Sequence, residues 1–447
     1  MKPVNNIWFV LFLLLLQGCI EEVDFVVGDG TLPYILVVEA TLSDEMQRHE
    51  VVLSRLDSIN DLEIDSIYNP FTPNPNRDIN RDLINYEMGA KVFVSDESGN
   101  EYNFTEYLPG RYRSDDEFAA ELDTNYKLGI STADNRSYES KSMSIQGVSE
   151  IQNLYAERMV SDTGIEGVGI FVDNKNVLGD TRNVRFRYEE TYKIIAPLWS
   201  PRDFSLTNYQ PCAPNNGILA IYDLEVLPRQ QEERVCYRTD ISNDIIQGNS
   251  NIEETNGLNK QMVRFIDNDN FIISHRYSIM VEQQVVGPES YSFYEQLKRF
   301  SETGSLFSQI QPGFLEGNIL ESNGATGSVI GFFEIISVSK KRLFFNYTDL
   351  FPNEPLPPFP FRCEPLSAKE THISYCYVPP PPGNIADPCP ISVVEQIDQD
   401  LIVYYDDNSK RLIGDPFCNS DFAFVVSPCG DCTVIGTNVK PEFWIEE

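Results

Sequence analysis

Histidine is nearly missing from this chain. Of its 447 residues only His49, His275 and His372 are imidazoles, so histidine-based acid–base or metal chemistry has few places to sit. Basic residues are scarce as well. Lys and Arg number 34 against 68 Asp and Glu, a formal net charge of −34, and this sets nucleic acid aside as a partner, because a polyanion would be repelled. There is no Gly-x-Ser-x-Gly elbow, no His-Glu-x-x-His, no phosphate-binding loop and no dinucleotide fingerprint, the signatures of the common hydrolases and nucleotide enzymes. What is present is a 41% hydrophobic composition, enough for cores of ordinary size, with 27 Phe, 22 Tyr, 28 Pro and 26 Gly. That mixture favours many short strands joined by turns.

Residues 7–16 form an unbroken apolar run that meets Gln17. About 20 apolar residues are needed to span the hydrocarbon layer, so the run reads as the core of a cleaved leader. Leu16-Gln17-Gly18-Cys19 follows and resembles the lipobox of bacterial lipoproteins, with Gln17 departing from the small residue usual there. The resemblance implies lipidation of Cys19, and several acyl chains give lasting membrane attachment where one is marginal. Glu21, Glu22 and Asp24 come next. An acidic cluster behind the lipidated cysteine resembles the signal that sends lipoproteins of the Bacteroidota to the outer face of the outer membrane.

Eight cysteines remain after Cys19: Cys212, Cys236, Cys363, Cys376, Cys389, Cys418, Cys429 and Cys432. An even number in an exported chain predicts disulfides. Position suggests that Cys212 pairs with Cys236 and that the last six pair among themselves. Cys429-Gly430-Asp431-Cys432 could instead be half a zinc site or a redox dithiol. A reactive dithiol wants its first cysteine at a helix N-terminus, whereas Pro428, Gly430 and Thr433-Val434-Ile435 read as turn and strand.

Strand-like runs recur at residues 34–42, 50–56, 90–94, 101–107, 111–113 and 126–131, with turn signals at Ser98-Gly99-Asn100 and Pro109-Gly110. This spacing predicts a sandwich. Residues 58–87, rich in Asn-Pro and Asp, read as a surface loop within it. Beyond Gly147, Val184, Phe186 and Tyr188 alternate with arginines, and 271–286, 329–333 and 342–347 are further strand candidates. Tyr291, Tyr294, Leu297 and Phe300 recur every three residues and predict an amphipathic helix opening at Pro288 and ending at Gly304. Asp267-Asn268-Asp269-Asn270 could offer calcium ligands but lacks the glycine and distal glutamate of an EF-hand loop, which favours a plain turn. Asp57-Ser58-Ile59 and Asp65-Ser66-Ile67 resemble an O-glycosylation pattern of exported Bacteroidota proteins. Six prolines fall in residues 352–365 and four more run through 379–382, which bars central strands there.

The expected architecture is mainly β. Residues 1–18 are a leader, 19–33 a lipidated tether and 34–147 an immunoglobulin-like β-sandwich. Residues 148–447 form a larger β-rich domain with one amphipathic helix and disulfide-rich loops from 352 onward.

Leu36-Val37-Val38-Glu39-Ala40, Gly89-Ala90-Lys91-Val92-Phe93-Val94, Gly110-Arg111-Tyr112 and Tyr126-Lys127-Leu128-Gly129-Ile130 stand in order along the chain. They are followed by Gly304-Ser305-Leu306-Phe307, Gly317-Asn318-Ile319, Val329-Ile330-Gly331-Phe332-Phe333, Cys429 to Cys432, and Lys440-Pro441-Glu442-Phe443-Trp444. The series resembles the Bacteroidota lipoproteins grouped as domain of unknown function 4249. That resemblance implies a surface or outer-membrane lipoprotein encoded beside TonB-dependent receptors, with no catalytic residue, cofactor or metal assigned. The expected role is a non-enzymatic ligand-binding or capping partner of a TonB-dependent transporter, lipid-anchored in the outer membrane and facing outward, its ligand unknown. Two alternatives stand beside it: a freestanding surface adhesin or glycan-binding module, and a cell-envelope hydrolase using a carboxylate pair.

Overall fold

Period-two alternation dominates the chain, and it folds as strands. The computed structural model describes residues 35–55, 84–211, 220–250, 257–302, 315, 317–322, 329–366, 393–407 and 422–446. Seven strands come first: β1 (Leu36–Ser43), β2 (Glu50–Arg55), β3 (Lys91–Asp96), β4 (Glu101–Leu108), β5 (Arg111–Ser114), β6 (Tyr126–Ser131) and β7 (Ser137–Ser140). Nine follow: β8 (Gly147–Val160), β9 (Glu166–Gly179), β10 (Asn183–Ile195), β11 (Arg202–Gln210), β12 (Ile221–Pro228), β13 (Val235–Ile241), β14 (Ile246–Asn249), β15 (Gln261–Asp267) and β16 (Arg276–Val285). Helix α1 (Pro288–Glu302) precedes β17 (Ile319–Glu321) and the 18-residue β18 (Val329–Asn346). The tail carries α2 (Tyr347–Leu350), α3 (Val393–Asp398), β19 (Ile402–Asp406), β20 (Ala423–Val426) and α4 (Ser427–Gly430).

The mainly β expectation holds, and a large mixed sheet carries it. Thirteen strands join in the order β13-β10-β16-β18-β1-β2-β5-β4-β3-β6-β7-β17, with β14 also on β10. β1 pairs with β18 in parallel, Leu36 opposite Val329 and Ser43 opposite Ile336, while its other neighbour β2 is antiparallel. The sheet therefore runs on through the sequence boundary at 147, because the N-terminal unit takes one of its strands from residues 329–336.

β18 is the shared spine. Its odd-numbered side chains feed two cores, Phe333 and Ile335 joining Leu36, Val51, Val92 and Tyr126, and Phe345 joining Phe186, Ile279 and Tyr277. The second core is closed by the three-stranded sheet β15-β9-β8, where Ile151, Val168 and Val263 point inward. Each such large apolar side chain contributes about 1.5–3 kcal/mol when fully buried. Val184, Phe186 and Tyr188 lie in this core as their alternation predicts.

The first core is closed by a side chain. Asn318 donates from Nδ2 to Phe333 O at 2.7 Å and accepts from Phe333 N at 2.8 Å, so β17 is fastened to β18 as a backbone strand would be. The approach is so close that a Cβ on Gly317 would fall 1.7 Å from the Gly331 carbonyl oxygen. Only glycine fits there.

Several boundaries differ from the sequence reading. The two candidate strands at 329–333 and 342–347 are one strand, since β18 crosses from β1 to β16 without a break. Residues 271–273 form a 3-10 turn, where the Asn270 side chain accepts the Ile272 N–H as an Asx turn, and Asp267 to Asn270 before it is a plain backbone turn closed by Asn270 N donating to Asp267 O at 3.1 Å. The end of the predicted 58–87 loop is pinned: Arg55 N donates to Asn85 O, Glu87 N to Leu53 O, and Tyr112 Oη to Glu87 O. The remainder of that loop, both Asp-Ser-Ile matches, Gly304, His372 and prolines 379–382 lie outside the described residues.

Candidate functional site

Even-numbered residues of β18 face away from the cores, and α1 crosses that face. The helix begins at Pro288, as proline at a first helical turn allows. Its inward face matches the stripe read from the sequence only in part, Tyr294 meeting the buried Arg185. Ser290 and Phe293 are the buried positions, Phe293 lying 5.5 Å from the Phe332 ring, while Tyr291, Tyr294 and Leu297 are only partly covered.

Beneath the helix lies a buried ion pair. Arg185 and Glu334 are 4% and 2% exposed, and Arg185 Nη2 donates to Glu334 Oε1. Arg185 also donates from Nε and Nη2 to Gln284 Oε1 at 2.8 and 2.6 Å, and its guanidinium stacks 4.3 Å from the Tyr294 ring. Glu334 accepts in addition from Ser290 Oγ on α1 and from Thr41 Oγ1 on β1. Burial opposes the Arg185 charge most strongly, and Glu334 and Tyr294 together more than offset it, so the guanidinium is held above its ordinary value. Burial, then Glu334, pushes the Tyr294 phenol up to about 12. The pair therefore ties together β10, β18, β1 and α1.

Beside this tether the helix leaves a cleft of about 870 Å³ across the outer face of β16, β18, β1, β2 and β5. Its floor follows the register: Phe332 lies opposite Glu39, Glu39 opposite Val52, and Val52 opposite Arg111. A second depression of about 640 Å³ shares Glu39, Val52 and Arg111 with it. Five cations line the cleft, Arg48, Arg111, Arg113, Arg187 and Lys340, with four carboxylates, Glu39, Glu45, Glu50 and Glu282. Lys340 bridges Glu45 at 2.6 Å and Glu282 at 3.4 Å, and Arg111 meets Glu50 at 3.7 Å. Burial works against the Lys340 charge, but the hydrogen bond to Glu45 and the nearby Glu282 hold its pKa above the ordinary lysine value. Arg48 donates to the backbone carbonyls of Ser114, at 2.9 Å, and Asp115. Arg113 stacks 3.9 Å over the Tyr107 ring. The side chains of Arg187 and Glu39, both exposed, have no hydrogen bond or ion pair among the described residues. His49 also borders the cleft, and its Nε2 donates to Phe118 O at 2.9 Å, so the neutral ring carries its proton on Nε2. Burial holds it below the usual histidine range.

The cysteines lie elsewhere. Cys236 on β13 bonds Cys432, and Cys363 bonds Cys429. This corrects the expectation that Cys236 pairs with Cys212 and that the last six cysteines pair among themselves. The reason is topological: β13 is an edge of the large sheet, and the C-terminal chain returns to it, Tyr237 and Thr437 exchanging backbone hydrogen bonds at 2.8 and 2.9 Å. Cys429 and Cys432 thus diverge to different partners. The segment is also helical where strand was expected: Cys429 lies in α4, and 432–434 is a 3-10 turn capped by Asp431, which accepts from Thr433 N at 2.7 Å. Arg229 anchors the same region through Asp203 at 2.9 Å and Glu233. Cys19, Cys212, Cys376, Cys389 and Cys418, with Glu21, Glu22 and Asp24, fall outside the described residues. Among the described residues no cluster of His, Cys, Asp or Glu could hold a metal ion.

None of the cleft residues was singled out from sequence as a site. They come from six strands, the β1–β2 connection, α1 and position 315, and are spread over some 300 residues of the chain. The one available signal was the Arg185–Arg187 alternation in β10, where two arginines stand on the face opposite a fully apolar one.

These features define a class: a mainly β protein built on one large mixed sheet, with a helix-walled cleft on its outer face and two disulfides fastening the C-terminal tail. The family model described as a domain of unknown function, DUF4249, matches residues 20–342, and the chain belongs to that family. The matched region contains every cleft-lining residue and stops before the tail that carries Cys363, Cys429 and Cys432. Neither a curated protein nor a solved structure matches the chain.

Proposed function

We propose that this protein is an outer-membrane lipoprotein, anchored through Cys19 and facing outward, that acts without catalysis as a ligand-binding partner of a TonB-dependent transporter. The observation that carries the reading is the open cleft beside α1, whose aromatic and charged lining offers recognition to a ligand of small-molecule size. The carboxylates best placed for chemistry, Glu45, Glu50 and Glu282, are engaged by Lys340 and Arg111, an arrangement suited to shaping a site. The lipobox-like Leu16 to Cys19 and the acids Glu21, Glu22 and Asp24 support the anchor and its export. A net charge of −34 holds the folded part away from an anionic membrane surface, leaving the cleft accessible above it.

Purification of the native protein from its own membranes in mild detergent tests this. Recovery of a stoichiometric TonB-dependent receptor is the expected result. Isolation of the chain alone, while the transporter encoded beside it purifies separately, would overturn the partnership and favour a freestanding adhesin.

A further inference from the structure

We infer that the cleft beside α1 selects an amphipathic organic anion, an acyl or aromatic body bearing a carboxylate or another oxyanion, with Arg187 as its anchoring residue. The inference rests on the reading of the cleft as a binding site and adds the chemistry of what enters it.

The first ground is charge. Acids outnumber bases two to one in the chain, 68 to 34, yet the cleft lining holds five cations and four carboxylates. The local field thus runs against that of the molecule. The second ground is how those cations are used. Arg48 is bonded to backbone carbonyls and Arg113 to an aromatic face. Neither has a carboxylate partner among the described residues, and the Arg187 side chain, though it lies within electrostatic reach of Tyr294, has no hydrogen bond or ion pair among them. A guanidinium presents a planar fork of donors that matches an oxyanion bidentately. In a chain with a twofold surplus of carboxylates, three guanidiniums left without one on a single cleft form an anion-directed surface.

The third ground is the apolar strip between the charges. Val37, Val52 and Ile330 are only partly covered on the floor, and Leu297 stands on the wall. They would take the body of the ligand, with Tyr294 beside the Arg187 end. Glu39 fixes the orientation. It is unpaired on β1, which lies between β10 and β5 in the sheet, so it repels an oxyanion from the middle of the floor and favours its seating at Arg187.

The test uses the full exported chain carrying Cys19→Ala, so that neither lipid nor detergent competes. Two probes are titrated by fluorescence and calorimetry: 8-anilinonaphthalene-1-sulfonate, and N-phenyl-1-naphthylamine, which shares its rings and lacks its charge. Saturable one-to-one binding of the sulfonate is expected, tighter than that of the neutral amine and weakening as salt is raised. R187E should weaken it about tenfold or more, since one charge-assisted hydrogen bond is lost and a repulsion gained. R113E should have a smaller effect. K127E, on β6 and outside the cleft lining, changes the net charge equally and should leave affinity within about twofold. Arg187 is exposed, so R187E should keep the wild-type circular dichroism and melting curve. Absence of binding to the folded chain, equal affinity for the two probes, or an R187E that binds as tightly as its parent would overturn the inference. Sulfonate binding by a chain that purifies without any transporter would uphold the anion site and refute only the transport partnership.

Discussion

Glu334→Gln is the sharpest probe of how the cleft wall is held. The substitution keeps the shape of the side chain: its amide oxygen can stand for Oε1 toward Thr41 and Arg185, and its amide nitrogen, in place of Oε2, can donate to the Ser290 hydroxyl, so what is chiefly removed is charge. Arg185, only 4% exposed, then stays buried without its counter-ion. A guanidinium cannot shed its proton to escape, as a buried lysine can. The expected loss is therefore that of a broken buried pair, about 3–5 kcal/mol. It should fall unevenly on the molecule, because Ser290 and Tyr294 are the points where α1 meets the pair. Urea unfolding would measure the loss, and hydrogen–deuterium exchange over residues 288–302 would locate it as faster exchange in the helix. Replacing both partners, Arg185→Met with Glu334→Leu, should regain most of the stability, since no buried charge is left unpaired. A Glu334→Gln protein within about 1 kcal/mol of wild type, or one with unchanged exchange in α1, would refute the reasoning. So would a double variant as unstable as the single one.

Two further predictions concern stability. Peptide mapping without reduction should find Cys236 joined to Cys432 and Cys363 to Cys429, and a Cys236–Cys212 peptide would contradict the fold. Loop-closure entropy sets upper values of about 5 kcal/mol for the first bond, which spans 196 residues, and about 4 for the second, which spans 66, so Cys236→Ala/Cys432→Ala should lower the unfolding free energy the more. His49 and His275 are both held below the ordinary histidine value, by burial first in each case and at His275 by Lys193 as well. Unfolding then takes up protons, so stability is full above about pH 6.5 and falls as pH drops through the folded values, at up to about 1.4 kcal/mol per pH unit for each ring. Urea midpoints between pH 8 and 5 should show this fall, and His49→Gln with His275→Gln should flatten it; an unchanged slope would remove the histidines from the account.

Much of the local structure was legible because it depends on neighbours in the chain. The alternation of Val184, Phe186 and Tyr188 with arginines placed β10 correctly, the turn at Pro109-Gly110 separated β4 from β5, and Pro288 marked the start of α1. The even count of cysteines beyond Cys19 announced disulfides. Where the reading missed, a distant segment had intervened. Phe332 and Glu334 are covered on the face opposite the cores, and Phe293 and Ser290 of α1 meet them there. Spacing by threes placed Tyr291, Tyr294, Leu297 and Phe300 on one face of an amphipathic helix; Tyr294 does meet Arg185, but the fully buried positions are Ser290 and Phe293, against Glu334 and Phe332.

Composition and spacing by themselves thus determined that the chain is acidic, strand-rich and disulfide-bearing, and that a helix follows Pro288, because charge, alternation and proline act through adjacent residues. The pairing of β1 with β18, the return of the tail to β13, the buried Arg185–Glu334 pair and the grouping of Arg48, Arg113 and Arg187 on one cleft were decided only in three dimensions. Each joins residues tens to hundreds of positions apart, and which strand lies beside which is fixed by packing of the whole sheet and leaves no local pattern to read.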